Sequence, residues 1–170
     1  MKVNLVKISL ASVAFLFITA GQSSLQAQAK AEAGAAFQSA NRIVGAWETA
    51  VQPTNCATGE PIGQPFHGLI TFNDGGTIAE YGANPMTPYR TPGHGIWESN
   101  GGGSNYSMKF SFIPLTPAGV PIGRIRVTQD LELSRFSDES TSSGGFVLTN
   151  FSGVVLNTGC TTSAAVRITL

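Results

Sequence analysis

Tyr106, Met108, Phe110 and Phe112 alternate strictly with Ser107, Lys109 and Ser111, and this two-residue period constrains the chain more than any other feature. Successive side chains of a strand point to opposite faces, so the run reads as an extended segment with one apolar and one polar side. The pattern returns downstream, where Ile125, Val127, Gln129, Leu131 and Leu133 alternate with Arg124, Arg126, Thr128, Asp130 and Glu132. One face is apolar apart from Gln129, and the other carries charges of both signs. Upstream, Phe66, Gly68, Ile70 and Phe72 share a face, as do Trp47, Thr49 and Val51.

Turn signals punctuate these runs. Asp74-Gly75-Gly76 reads as a hairpin turn into a strand over 77–81. Residues 100–104 form a glycine-rich turn, and Thr116-Pro117-Ala118-Gly119 reverses the chain again. Residues 53–64 and 82–92 read as loops, the second rich in proline. Further strands are expected over 94–99, 145–151, 153–157 and 162–169. Twenty glycines and nine prolines fit many short elements joined by turns. The fold class is therefore all-β: an antiparallel up-and-down barrel of eight to nine strands, with a sandwich as the second arrangement.

The beginning of the chain follows a different logic. Lys2 and Lys7 precede an uncharged apolar stretch from Ile8 to Ala20, and Ala27-Gln28-Ala29 is a small-x-small site. A membrane-crossing helix needs about 20 apolar residues, so this shorter run predicts a signal peptide over 1–29, cleaved after Ala29. Ala-rich residues 30–41 form a linker or a frayed helical turn, and 42–170 form the barrel domain. The expected location is secreted or periplasmic. About 140 residues then remain, enough for one domain with one core.

Cleavage removes two lysines and no acid from ten basic and ten acidic residues. The remaining chain is weakly acidic and has no Lys/Arg cluster, which excludes nucleic acid as a partner. No later segment is apolar enough to span a bilayer, so no stable membrane insertion is expected. Cys56 and Cys160 both lie beyond the leader, and an oxidising compartment makes a disulfide between them the default. Two buried free thiols are the alternative. Zinc is disfavoured, because His67 and His94 lack paired-ligand spacing.

Gly45-Ala46-Trp47 opens the first strand and Arg167 lies in the last. This arrangement resembles the calycin barrels of the lipocalin kind, in which a Gly-x-Trp strand opens the barrel and a late Arg stacks over the Trp. The resemblance implies that Trp47 closes the barrel floor while Arg167 covers its ring and caps backbone carbonyls. The whole chain is also similar to exported bacterial proteins with a Gly-x-Trp opening, a Cys-x-Thr-Gly loop (Cys56 to Gly59) and an Arg-x-Pro-Gly-His-Gly-x-Trp segment (Arg90 to Trp97). Allene oxide cyclase-like barrels share the eight-strand architecture.

The sequence has no nucleophile elbow, His-Glu-x-x-His zinc motif, phosphate loop or dinucleotide fingerprint. No cofactor is expected, and no metal. One constellation remains: Glu80 shares a strand face with Ile78, with Arg90 and His94 on the following loop and strand edge and Tyr106 further on. An inward carboxylate is costly unless paired, and an Arg or His would offset that cost. Glu80 as a base and His94 as an acid are the candidate catalytic groups. The plainer alternative is a structural Glu80–Arg90 pair with His94 facing water. The expected ligand-binding residues are Phe72, Glu80, Arg90, Trp97, Tyr106 and Phe110, around an interior that also holds Phe66, Ile70 and Leu131. Three functions follow: a barrel binding a small hydrophobic molecule, a cyclase or isomerase using the same cavity, or a filled structural barrel of the cell envelope. Whether the interior is hollow separates them.

Overall fold

The computed structural model describes residues 41–170. The expected signal peptide and all but the last residue of the expected linker lie outside the described residues. A 3-10 turn at Asn41–Ile43 leads into eight strands: β1 (Gly45–Thr54), β2 (Phe66–Asn73), β3 (Thr77–Gly82), β4 (Gly93–Ser99), β5 (Asn105–Phe112), β6 (Arg124–Leu133), β7 (Glu139–Thr149) and β8 (Val155–Arg167). Each strand pairs with the next in antiparallel fashion, and β8 returns to β1 from Trp47↔Arg167 to Thr54↔Cys160. The result is a closed up-and-down barrel with strands in sequence order. Closure leaves no unpaired strand edge.

The two-residue period sets the inside and the outside. Ile70, Phe72, Ile78, Met108, Phe110, Ile125 and Leu131 are buried within, whereas Glu48, Lys109, Arg124, Arg126, Asp130 and Glu132 are exposed on the outer wall. The outer wall also carries exposed apolar side chains, among them Leu69, Tyr81, Ile96 and Val166. No helix among the described residues is long and apolar enough to cross a membrane.

The last third of the chain differs from the sequence reading. The three expected segments are two long strands, and β7 begins at Glu139 rather than near Gly145. Its first half, Glu139-Ser140-Thr141-Ser142-Ser143, shows no apolar alternation because the inward residues Ser140 and Ser142 are themselves polar. Both are nevertheless buried.

Up-and-down topology sends the β1–β2, β3–β4, β5–β6 and β7–β8 connections to one end and the other three to the opposite end. At that opposite end the barrel is closed. Trp47 is fully buried, its indole N–H donates to the Ile43 carbonyl at 3.0 Å, and the Arg167 guanidinium lies 4.3 Å from its ring centroid. Arg167 also donates to the carbonyls of Ser137 (2.7 Å), Val44 (2.7 Å) and Arg42 (2.5 Å). Arg42 donates in turn to the carbonyls of Gly103, Ser134 and Arg135. Two guanidinium groups thus tie the N-terminal turn to the β4–β5 and β6–β7 connections. Gly45 is required here: its φ is +139°, and a Cβ would sit 2.5 Å from Arg167 Nη1. The expected Gly-x-Trp and Arg arrangement is present, and the barrel has a calycin-like form.

Cys56 and Cys160 form a disulfide, with Cα atoms 5.2 Å apart. It ties the turn after β1 to β8.

Candidate functional site

The barrel is hollow above its floor. A cavity of about 550 Å³ runs from Ile70 and Phe72 past Phe66, Phe110, Val127 and Phe146 to the loops of the opposite end. That volume lies within the range of small-molecule sites, and a mostly apolar wall with a few polar groups is their usual composition. The floor is the buried cluster of Trp47, Trp97, Tyr106 and Leu133.

Glu80 and Arg90 form the first polar group of the wall. Glu80 is carried inward by β3, in register with Ile70 on one side and Gly93 on the other. Arg90 comes from the β3–β4 loop, held by a bridge between Arg90 and Pro114. Its guanidinium engages both carboxylate oxygens of Glu80, lies 3.5 Å from the Phe112 ring centroid and donates to the Thr91 carbonyl at 3.1 Å. The two side chains are only 3% (Arg90) and 13% (Glu80) exposed. Gly93 makes room for the pair, because a Cβ there would lie 2.5 Å from Glu80 Oε2 and 3.4 Å from Arg90 Nη2. Burial pushes the Glu80 carboxyl above its ordinary value near 4.5, and the Arg90 hydrogen bond and charge only partly oppose this. Desolvation is the larger effect, as expected for an ion pair inside a barrel.

The second polar group lies on β6, β7 and β8. Gln129 Nε2 donates to Thr161 Oγ1 at 2.8 Å, Ser142 Oγ donates to Gln129 Oε1 at 2.6 Å, and the Ser142 and Ser163 hydroxyls lie 2.6 Å apart. Gln129, Thr161 and Ser163 line the same cavity as Glu80 and Arg90. Near the open end Thr87 Oγ1 is buried at the cavity wall without a hydrogen-bond partner.

Of the residues expected to bind a ligand, Phe72, Glu80, Arg90 and Phe110 line the cavity together. Trp97 and Tyr106 do not; they pack in the floor. Trp97 Nε1 donates to the Asn73 carbonyl at 3.0 Å, and its ring meets Phe72 and Tyr106 edge-on. The Tyr106 hydroxyl donates to the Gly103 carbonyl at 3.2 Å. There burial pushes the Tyr106 phenol up and the Arg167 guanidinium down from their ordinary values. His94 lies on the outer face of β4, exposed between Gly93 and Gly95, so the structure does not bring it to Glu80. Gln129 had one signal in the sequence, as the single polar residue on an apolar strand face. Ser142, Thr161 and Ser163 had none, lying in runs of Ser, Thr and Gly without a period.

Among the described residues no group of three or more His, Cys, Asp or Glu side chains is arranged to hold a metal ion. The site is thus a neutral one: its single carboxylate and single guanidinium cancel, and its other polar atoms are amides and hydroxyls. A molecule entering it exchanges water for apolar contact along most of its surface. The described residues form a closed eight-stranded barrel of calycin-like form, with an apolar cavity that opens at one end. No protein-family model matches the chain, and no curated protein matches it.

Proposed function

We propose that the chain is an exported binding protein whose barrel holds a small, uncharged, hydrophobic molecule. The observation that carries this reading is the cavity of about 550 Å³. A barrel built only as a structural element gains nothing from leaving so much of its interior unfilled, since interiors otherwise pack to crystal-like density. Apolar walls supply affinity by burying apolar ligand surface, at about 25 cal/mol per Å². The Glu80–Arg90 pair and the Gln129–Ser142–Ser163 cluster provide orienting contacts at two places on the wall. With those charges already paired, an ionic ligand finds no counter-charge, which favours a neutral one. Export through the leader expected over 1–29 accords with the Cys56–Cys160 disulfide, a bond that persists in oxidising compartments.

The test is native mass spectrometry of protein isolated from its own host, together with titration by a neutral fluorescent probe such as N-phenyl-1-naphthylamine. One co-purifying molecule per chain, displaced by the probe, is the expected result. An empty barrel that also takes up no neutral apolar probe would sink the proposal.

A cyclase or isomerase reading has one observation in its favour. Glu80 stands in the cavity with a carboxyl whose pKa burial has raised, a property of proton-transfer groups. Glu80→Gln separates the two functions: a binding protein keeps its probe affinity within about tenfold, whereas an enzyme keeps affinity and loses turnover.

A further inference from the structure

The four connections around the cavity mouth span residues 55–65, 83–92, 113–123 and 150–154, and their composition is unusual for exposed loops. Glu60 and Arg90 are their only charged residues, and Arg90 is engaged by Glu80. Each loop instead presents apolar side chains to solvent: Ile62 from the first, Met86 (88% exposed) and Tyr89 from the second, Val120 from the third, Phe151 (61% exposed) and Val154 from the fourth. The turn that carries Phe151 is fixed by Asn150 Oδ1, which accepts from the backbone N–H groups of Ser152 and Val154. Six large apolar side chains exposed on the four loops of one end are the kind of surface that marks an interaction site.

Two further observations say what the partner is. The apolar collar is continuous with the cavity, since Ile62 and Met86 belong to both. Charge on the outer wall is also sorted along the barrel. Arg124 and Arg126 follow directly on the 113–123 loop and are exposed at the mouth end of β6. Glu48, Asp74, Glu98, Glu132, Asp138 and Glu139 are exposed toward the closed end with Arg135 beside them, whereas Glu60 is the one exposed acid among the mouth loops. A mouth of apolar loops with two arginines against one acid, and with most of the acids at the far end, matches an anionic lipid surface with its apolar interior and phosphate layer. A second copy docked mouth to mouth would bring the same two arginines and one Glu60 from each side, a net like charge.

We infer that the open mouth docks on an anionic phospholipid surface, and that the barrel takes up or releases its ligand there. The transfer step rests on the binding function proposed above, whereas the docking step stands on the collar alone. The barrel lies against the bilayer without crossing it.

Flotation with vesicles of phosphatidylcholine and phosphatidylglycerol in equal parts, compared with phosphatidylcholine alone, tests the docking. The protein should float with the mixed vesicles and bind the neutral ones less. Val120→Ser, Phe151→Ser and Val154→Ser combined should lower the bound fraction by about tenfold or more. Arg124→Gln and Arg126→Gln should each weaken binding to the anionic vesicles by about fivefold. None of these five residues lines the cavity, so uptake of N-phenyl-1-naphthylamine in vesicle-free buffer should be unchanged in every variant. A wild-type protein that takes up the probe but floats with neither vesicle overturns the docking. So does flotation that survives the triple substitution, which would assign it to another part of the chain. A concentration-dependent dimer in sedimentation, abolished by the same substitutions, overturns it in favour of a second copy. Flotation without probe uptake keeps the docking and removes the transfer, together with the binding function on which it rests.

Discussion

The two ends of this barrel are built on opposite terms. At the closed end Trp47, Tyr106 and Ile43 are the largest fully buried side chains, and Arg42 and Arg167 satisfy seven acceptors, six backbone carbonyls and the Ser137 hydroxyl. At the open end there is an apolar cavity, a buried hydroxyl of Thr87 has no partner, and Met86, Tyr89, Val120, Phe151 and Val154 project into solvent, against Phe136 alone among the connections of the closed end. Each of these open-end features forgoes contact that a folded protein ordinarily gains. The same eight strands run through both ends, so the difference lies in side chains and loops rather than in topology. Packing and hydrogen bonding are concentrated at the closed end, and the cavity lies toward the other.

The largest expected effect tests the closed end. Trp47→Ala removes the side chain around which the N-terminal turn and Arg167 are arranged, and should cost about 3–5 kcal/mol in urea unfolding. Arg167→Ala should also destabilise, through lost packing on the indole as well as lost carbonyl contacts. In the native protein iodide should quench Trp47 poorly. If Met86→Ala destabilised as much as Trp47→Ala, the division between the two ends would collapse.

The disulfide is the next largest contribution. Its closed loop spans 104 positions, and its removal by Cys56→Ser with Cys160→Ser should cost roughly 2–4 kcal/mol. Thiol counting on the unfolded, unreduced protein should find no free sulfhydryl. The comparison becomes sharper if the doubly substituted protein keeps Trp47 shielded from iodide, because the bond braces the β1–β2 connection and β8 rather than the floor.

Much of this architecture was legible in the sequence. β5 and β6 alternate so regularly that their inward faces were readable residue by residue, and Gly45-Ala46-Trp47 with Arg167 announced the closed end. The start of β7 was not legible, because Ser140 and Ser142 face inward as polar residues and a strand that hides hydroxyls carries no hydrophobic period. The site was readable where chemistry is local to one strand or one loop: Glu80 and Arg90 stand out as charges beside apolar neighbours. It was unreadable where partners are brought together only by strand register, as with Gln129, Ser142 and Ser163 from three successive strands. The sequence also placed Trp97 and Tyr106 among cavity residues, since they share the inward face. Alternation reports the face of a sheet but not the height along a barrel, and height decides whether an inward residue belongs to floor or cavity.

A smaller effect follows from comparing one kind of substitution at both ends. Leu133→Phe enlarges a side chain in the packed floor and should cost about 1–3 kcal/mol through forced rearrangement. Val127→Phe enlarges one on the cavity wall, where there is space to receive it, and should change stability by less than about 1 kcal/mol. The second substitution should nevertheless reduce uptake of a neutral apolar probe, and the first should not. Equal costs at the two positions would mean that the interior is uniformly packed.

The smallest expected effect concerns the pH dependence that Glu80 imposes on the open end. In the unfolded chain its carboxyl releases a proton near the ordinary value of 4.5, whereas in the barrel burial raises that value despite Arg90. Between the two pKa values the folded state therefore holds more protons than the unfolded state. Stability contributed by Glu80 is fully present below the unfolded pKa and is lost as pH rises through the folded one. Glu80→Gln cannot titrate, so this fall disappears from the variant. Melting temperatures of both proteins, measured from pH 4 to pH 7 on the scale of these carboxylate titrations, should show wild type gaining on the variant as the medium becomes more acidic. The opposite trend, with wild type gaining as pH rises, would mean that the attraction of Arg90 outweighs desolvation. Glu80 and Arg90 would then brace the cavity wall as firmly as Arg167 braces the floor, and the open end would no longer be the part of the barrel built without regard to its own stability.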